Sequence, residues 1–240
     1  MLKPQIFSDH EAVSRQAAAS LIERLRQDTS ALLCLAAGAT PLRTYALLAQ
    51  QGIKDPSLFE HCRIIKLDEW GGLPPGDPAT CEAHLHSTLI SPLGLSRRYV
   101  AFDSQPPDAE SECRRIANWL EQNGPIDTCV LGLGVNGHIG FNEPAAFLRP
   151  HAHVAQLSEA SLAHATLATA GMRPTYGLTL GMADLLQSRH ILLLVTGAAK
   201  REPLERLLNG QVTAEFPASF LQLHGSVLLL CDAAARPGAE

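Results

Sequence analysis

The stretch "CVLGLGVNGHIGFNEP", residues 129–144, joins an apolar run to a loop that is dense in glycine and polar side chains. A short apolar run that ends at glycine is typical of a buried strand in a parallel sheet. The spacing G-x-G-x-x-G from Gly132 to Gly137 matches a dinucleotide-binding fingerprint, but that fingerprint requires a helix to begin at the glycines. Gly140 and Pro144 prevent a helix of useful length here. The glycines therefore indicate a tight loop that holds polar side chains near a ligand, the alternative being an ordinary solvated loop.

Outward from this stretch, short apolar runs alternate with amphipathic segments along the whole chain. The pattern predicts strands at 31–36, 62–67, 126–133, 190–197 and 226–232, and helices at 8–28, 41–52, 109–122 and 198–210. It favours an α/β fold with a doubly wound, mostly parallel sheet and helices on both faces. We expect a single domain over residues 1–232, a frayed tail at 233–240, and a less regular lid or rim at 145–176.

Three helix boundaries can be predicted from local signals. Ser8 and Glu11 have the spacing of a capping box, which predicts that the first helix begins at Ser8. Pro41 is expected at the first position of the second helix, with Gly52 just past its end.

The composition of the 240-residue chain limits the partners that we expect. The formal net charge is −5 and the basic residues are scattered, so no basic stripe is available to bind nucleic acid. No apolar run is long enough to cross a bilayer, and the first residues carry no signal-like apolar core. The cysteines form no C-x-x-C pair, which is typical of a reduced protein. We therefore expect a cytoplasmic protein with no nucleic-acid or membrane partner.

Several loops follow predicted strands, where ligands bind in a sheet of this kind. The segment "AAGATP", residues 36–41, joins a strand to a helix, and its backbone N–H groups at the positive helix end are suited to an anion. Lys200 lies near the start of another helix, where the helix dipole disfavours a cation unless an anion binds nearby. The alternatives are an ordinary turn at the first loop and an exposed lysine at the second.

Acidic and imidazole side chains occupy two of these loops. Asp68 follows directly on the apolar run at 62–67, where burial would raise its pKa and suit it to proton transfer. The alternative is that Asp68 and its neighbour Glu69 cap a strand in solvent. The loop after 126–133 brings Asn136, His138 and Glu143 close together in the sequence.

Two His-x-His pairs, 84/86 and 151/153, raise the question of a metal. His84 and His86 lie in a predicted helix, where residues two apart face different directions. No third ligand accompanies either pair, so we expect no metal site.

Together these loops resemble the glucosamine-6-phosphate deaminase family. The family motif G-[IL]-G-x-[DN]-G-H-[IL]-[AG]-[FL]-N-E-P occurs in full at 132–144, and three shorter motifs match at 37–41, 68–70 and 197–200. The similarity covers most of the chain. In "LDEW" (67–70), "TCEAHL" (80–85) and "YGLTLGMADLL" (176–186) the chain is most similar to the branch described as galactosamine-6-phosphate deaminase/isomerase.

The resemblance implies a Rossmann-like fold without a dinucleotide, and an enzyme classed as a deaminase, an isomerase or a hydrolase. The expected reaction is aldose–ketose isomerisation with loss of ammonia, most similar to conversion of galactosamine 6-phosphate to tagatose 6-phosphate. The first alternative is glucosamine 6-phosphate as substrate, which would give fructose 6-phosphate. No metal or organic cofactor is implied, and a homo-oligomer is left open.

The resemblance also implies roles for individual residues. Asp68 matches the base that moves a proton from C2 to C1, and His138 matches the residue that opens the sugar ring. Asn136 and Glu143 match residues that orient His138. The expected substrate-binding residues include a phosphate cradle with a nearby cation, and they are Gly38, Ala39, Thr40, Glu69, Gly137 and Lys200.

The chain departs from the family pattern at several positions. Ala37 replaces a threonine of the phosphate loop, and the serine that follows N-E-P in members regulated by N-acetylglucosamine 6-phosphate is absent. We therefore expect no such allosteric control. The arginine that helps to bind phosphate in some members has no clear counterpart near 162–170, and Arg173 is a candidate substitute.

Two rival functions remain. The 6-phosphogluconolactonases are similar in fold and in the G-x-G-x-x-G-H loop, but usually have D-E-R where this chain has Trp70 in the third position, and S-L-F-P at 141–144. The second rival is a sugar-phosphate sensor without catalysis.

Overall fold

The strands of this computed structural model, which describes residues 2–163, 167–168 and 170–238, form two sheets. The main sheet contains β1 (Pro4–Phe7), β2 (Leu32–Leu35), β3 (Arg63–Lys66), β5 (Tyr99–Val100), β6 (Thr128–Gly132), β9 (His190–Val195) and β10 (Val227–Asp232). The smaller sheet contains β4 (Asp68–Gly71), β7 (His153–Ala155) and β8 (Tyr176–Thr179).

All neighbouring strands of the main sheet are parallel, in the order β1-β10-β9-β6-β2-β3-β5. The order reverses between β2 and β6, because the chain first builds outward through β3 and β5 and then returns to the other side of β2. In open α/β sheets ligands bind at such a reversal, beyond the carboxyl ends of the strands. The predicted doubly wound α/β fold is thus confirmed.

The helices cover both faces of the main sheet. They are α1 (His10–Gln27), α2 (Ala39–Lys54), α3 (Cys81–Leu85), α4 (Ala109–Asn123), α5 (Glu159–Leu162), α6 (Met182–Leu186) and α7 (Arg201–Leu208). Shorter turns are 3₁₀ at Pro56–Phe59, Ser96–Arg98, Ala198–Lys200 and Pro217–Leu223, and π at His86–Ile90. Within the described ranges, no helix is both long and apolar enough to span a bilayer.

Side chains that alternate along the central strands build two apolar layers. Leu33 and Leu35 pack with Tyr45 of α2 on one face, while Leu193 belongs to the layer on the other face with Ile116 of α4. This alternation follows from the two-residue period of a strand, and it requires apolar residues at nearly every position because both faces are covered.

The first two helices begin and end at residues other than those predicted. Asp9, not Ser8, caps α1, because its carboxylate accepts the N–H of Ala12 at 2.8 Å. Pro41 is the third residue of α2 and Gly52 lies inside it. A Cβ at Gly52 would lie 2.8 Å from the Phe59 ring, so this glycine permits close packing rather than ending the helix.

The segment 145–176, expected to be less regular, contains β7 and α5, although residues 164–166 and 169 lie outside the described residues. Strand β7 pairs with β8, and β8 pairs with β4, in antiparallel register. This small sheet was not predicted. At the other end of the chain, Ala235 is buried and its N–H donates to Asp232, while residues 239–240 of the expected frayed tail lie outside the described residues.

All six cysteines have free thiols in buried positions. Burial raises the pKa of Cys62 and of Cys113 to about 12, and it raises the pKa of Cys34 and Cys81 as well. The thiols therefore behave as small apolar groups of the core.

Shortening a central side chain tests this description of the core. Leu193 is fully buried in β9, level with Leu131 and Leu229 on the neighbouring strands. Leu193→Ala should lower the free energy of unfolding by about 2–5 kcal/mol, because it leaves a cavity in the apolar layer that Leu193 shares with Ile116. Urea unfolding measures this change.

The matched control is Ile53→Ala, since Ile53 is 62% exposed on α2. It should change the free energy of unfolding by less than about 1 kcal/mol. Equal losses for the two variants would contradict the assigned core.

Candidate functional site

A cavity of about 520 Å³ opens at the carboxyl edge of the main sheet, beside the reversal between β2 and β6. The loops after β2, β6 and β9 and the start of β4 supply its walls. Of the ten residues expected to be catalytic or substrate-binding, six line this cavity: Gly38, Ala39, Thr40, Asp68, His138 and Lys200.

Asp68 is held at the junction of the two sheets. It follows β3 and Leu67, and as the first residue of β4 it pairs with Thr179. Burial raises the pKa of the Asp68 carboxyl to about 7, the Glu69 carboxylate adds to this, and the Lys66 ammonium and Cys81 thiol oppose it. A carboxylate of this kind can take up and release a proton near neutral pH.

Glu69 has a different place from the one expected for a substrate-binding residue. Because side chains alternate along a strand, it points away from the cavity that Asp68 lines, and it is fully buried. Its carboxylate accepts from the Lys66 ammonium at 2.5 Å and from the N–H groups of Cys81 and Glu82, each at 2.9 Å. Glu69 therefore anchors the start of α3 and does not reach a ligand.

His138 lines the cavity, and Asn136 and Glu143 lie behind it. Asn136 Nδ2 donates to Glu143 Oε2 at 2.9 Å, since a carboxylate can only accept. This orientation turns Asn136 Oδ1 toward His138 Nδ1, 2.7 Å away, so Nδ1 carries a proton and donates. The nitrogen left for chemistry is Nε2.

The Glu143 carboxylate is placed where its negative charge can balance a positive charge on the His138 ring. Burial alone would raise the pKa of this carboxyl, but hydrogen bonds from His138, Ser161 and Asn136 lower it to about 2. The Glu143 Oε2 atom lies 3.5 Å from His138 Nδ1. A negative charge at this distance attracts positive charge on the neighbouring ring.

Two serines that the sequence analysis missed complete this group. The Ser161 hydroxyl of α5 donates to Glu143 Oε1 and also lines the cavity. Ser158, the N-cap of α5, lies 3.4 Å from Asn136 Nδ2 through its hydroxyl. Both serines lie more than ten residues beyond Glu143, in a segment with no regular hydrophobic pattern. No local sequence signal could therefore identify them.

The other end of the cavity is suited to an anion. Gly38 has φ of 107°, which a residue with a side chain adopts only with strain, and as the N-cap of α2 it has no side chain to satisfy the first N–H groups. Ala39 and Thr40 thus present free backbone donors at the positive end of a 16-residue helix.

Lys200 stands near these donors on the cavity wall. Burial lowers the pKa of its ammonium, and among the described residues no charged group offsets this. The preceding turn is fixed because the Gly197 N–H donates to both oxygens of Asp232, at 3.0 and 3.1 Å. A cation without a protein counter-ion next to a helix N-terminus is suited to a phosphate.

Gly137 serves the loop's shape rather than the cavity. Its φ is 85°, and a Cβ there would lie 2.1 Å from the Phe216 ring. Its carbonyl accepts the N–H of Ala218 at 2.9 Å. Gly137 is not among the residues that line the cavity, and its expected part in substrate binding stays a prediction.

Apolar residues close the cavity around Asp68. The rings of Trp70 and Phe141 lie 4.5 Å apart at their centroids, and both line it. They exclude water from the side on which the carboxylate lies, which agrees with its raised pKa.

Arg173 lies outside this arrangement, whereas His84, a member of one of the two histidine pairs, lines the cavity. Arg173 is exposed and pairs with Glu159 at 3.2 Å, so the structure does not bring it to the anion end of the cavity. Within the described ranges, no three His, Cys, Asp or Glu side chains are grouped so that they could hold a metal.

Known proteins with the same organisation share both sequence and fold with this chain. The family described as glucosamine-6-phosphate isomerases/6-phosphogluconolactonase matches residues 8–229. A putative deaminase, AgaI, from Escherichia coli K12 is 40% identical over 95% of this chain and 91% of its own length. A glucosamine-6-phosphate deaminase from Shouchella clausii is 34% identical over 93% and 92%.

Solved structures agree with this assignment. A monomeric glucosamine-6-phosphate deaminase of the NagB superfamily superposes with a TM-score of 0.92 at 32% identity, over 98% of both chains. A 6-phosphogluconolactonase from Trypanosoma brucei reaches 0.73 at 22% identity over 98% of each chain, which shows a shared fold only. The family description names isomerases, and the two relatives named above are deaminases. These similarities support the deaminase and isomerase classes and do not support the expected hydrolase class. The chain belongs to the family of glucosamine-6-phosphate isomerases and 6-phosphogluconolactonases.

Proposed function

We propose that this chain is an amino sugar 6-phosphate deaminase/isomerase. One observation carries the proposal: a single cavity brings together a carboxylate with a pKa near 7, a histidine backed by a carboxylate, and a helix N-terminus with a lysine for which no described residue supplies a counter-charge. Gly38, Ala39, Thr40 and Lys200 bind the phosphate, which leaves the sugar between Asp68 and His138.

His138 opens the sugar ring. In its imidazolium form Nε2–H donates a proton to the ring oxygen, while the Asn136 carbonyl and the Glu143 carboxylate hold Nδ1–H and stabilise the charge. As the bond between C1 and the ring oxygen breaks, the imidazole left by this transfer takes up the proton of the C1 hydroxyl. The aldehyde that forms at C1 acidifies the C2–H bond.

Asp68 then moves one proton. Its carboxylate takes the proton from C2, giving a planar intermediate across C1 and C2, and the resulting carboxylic acid returns the proton to C1 on the same face. The nitrogen on C2 loses a proton and the C1 oxygen gains one, so C1 becomes a CH2–OH group and the C2–N bond becomes an iminium group. One water molecule hydrolyses the iminium to a ketone and ammonium, which is ammonia plus a proton. The balance is amino sugar 6-phosphate plus water to ketose 6-phosphate plus ammonia.

We propose galactosamine 6-phosphate as the substrate, supported by the resemblance of residues 67–70, 80–85 and 176–186 to that branch of the family. Glucosamine 6-phosphate is the second candidate, because the neighbour with a TM-score of 0.92 and the Shouchella clausii relative are deaminases of that sugar. The two sugars differ only at C4, so one hydrogen bond can decide between them.

The test of the proposed function is ammonia release from both amino sugars, measured as kcat/KM with purified protein. We expect turnover of both sugars and a value at least about tenfold higher for galactosamine 6-phosphate. The reverse ratio would exchange the two candidates. Absence of ammonia from both would reject the proposed reaction.

The pH dependence tests Asp68 as the base. Because its pKa is raised to about 7 and the base must be ionised, kcat/KM should fall about tenfold for each pH unit below that value. Steady-state rates between about pH 8 and pH 5 give this profile. Full activity retained to about pH 5 would contradict a base with this pKa.

Asp68→Asn is the companion variant. It keeps the size of the side chain but cannot accept a proton, so turnover should fall at least about 100-fold while phosphate-dependent binding persists. Calorimetric titration with the substrate measures that binding. Unchanged turnover would show that another group is the base.

Removing the imidazole tests ring opening separately. His138→Ala should reduce kcat/KM for the cyclic substrate about 100-fold. It should have much less effect on an analogue that lacks the C4 and C5 hydroxyls and therefore cannot close a ring. Comparable losses on the two compounds would place His138 in a later step.

A further inference from the structure

His84, on α3, is a cavity residue that the reaction described above does not use. It lines the same cavity as Asp68 and Lys200, one helical turn after Cys81, which also lines it. The other member of its sequence pair, His86, is exposed and is not among the lining residues.

The two nitrogens of the His84 ring have different surroundings. Nδ1 is buried, and no described residue offers it a hydrogen-bond partner. A buried N–H without an acceptor costs more than an unpaired lone pair, because the donor proton loses its hydration entirely. The tautomer with the proton on Nε2 is therefore favoured, and in this tautomer the ring acts as a hydrogen-bond donor through Nε2.

A buried ion pair fixes the helix that carries His84. The Glu69 carboxylate binds the first two N–H groups of α3, and the Thr80 hydroxyl, as N-cap, accepts the Ala83 N–H at 3.1 Å. Lys66 balances Glu69 and also donates to the Phe102 carbonyl at 3.1 Å. Both Lys66 and Glu69 are fully buried, so α3 has a fixed position relative to Asp68.

Among the described residues that line the cavity, Lys200 is the only lysine or arginine. The Glu82 carboxylate, also on α3, accepts hydrogen bonds from the Lys66 ammonium at 3.2 Å and from the Tyr99 hydroxyl at 2.6 Å. A neutral donor is matched to a hydroxyl oxygen rather than to a phosphate, which Lys200 and the start of α2 already serve.

We propose that His84 is a substrate-contacting residue whose Nε2–H donates to a hydroxyl group of the bound sugar phosphate. The proposal rests on the proposed function for the identity of the ligand. It assigns His84 to binding and to discrimination between sugars rather than to proton transfer, since a rigid donor rewards a hydroxyl in one configuration only.

The test compares His84→Leu with His84→Gln, both made in the Asp68→Asn protein so that ligand is not consumed. Leucine fills a similar volume without a donor, and glutamine keeps an N–H group. Calorimetric titration with galactosamine 6-phosphate should show about tenfold weaker binding for the leucine variant and a loss of less than about threefold for glutamine.

Two controls separate the alternatives. Binding of inorganic phosphate should be unchanged in both His84 variants, and His86→Ala should leave binding of both probes unchanged. Unaltered binding of the amino sugar by His84→Leu would overturn the proposal, as would equal weakening of inorganic phosphate. If His84→Leu does not fold, a glutamine variant with the affinity of the parent supports the donor, and an affinity about tenfold lower opposes it.

The outcome is independent of the proposed reaction. The reaction fails when the unmodified protein releases no ammonia, whereas the His84 contact is measured by equilibrium binding. As a further reading in the active protein, His84→Leu should raise KM about tenfold with kcat changed less than about threefold. Equal losses in kcat would oppose a contact made mainly in the bound ground state.

Discussion

The parallel pairing of β2 with β6 is the constraint on which the site depends. Because both strands run in the same direction, the loops that follow them leave the sheet at one edge. Because the strand order reverses between them, those loops diverge and open a crevice instead of packing together. The start of α2 enters this crevice from one side and the loop of His138 from the other, so the first N–H groups of α2 and the His138 imidazole face the same space.

Two carboxyl groups at this edge differ by about five pKa units because of their immediate surroundings. Asp68 lies beside apolar rings and another carboxylate, so its proton is held to about pH 7. Glu143 receives hydrogen bonds from three side chains and stays ionised to about pH 2. The first group is suited to carrying a proton, and the second to providing a constant charge. Equal residue types can thus be given separate tasks by burial and hydrogen bonding alone.

Sequence reasoning predicted the features that depend on local patterns. Continuous apolar runs identified β2, β3, β6, β9 and β10 of the main sheet but not β1 and β5, and the ends of those runs identified the cavity-lining loops. It failed where contacts join distant segments. The pairing of β4 with β8, the hydrogen bond of Ser161 to Glu143, and the burial of Glu69 against Lys66 each depend on tertiary packing. Likewise, nothing next to His84 in the sequence distinguishes it from His86.

The buried thiols have a practical consequence for following this protein in solution. Thiols with a pKa near 12, such as those of Cys62 and Cys113, contain almost no thiolate at neutral pH, so alkylating reagents react with them only after the surrounding layers open. Cys81 lies on the cavity wall, where an occupied cavity would shield it further. The rate of alkylation at each cysteine therefore reports how often the core opens. At Cys81 the rate also reports whether the cavity is occupied.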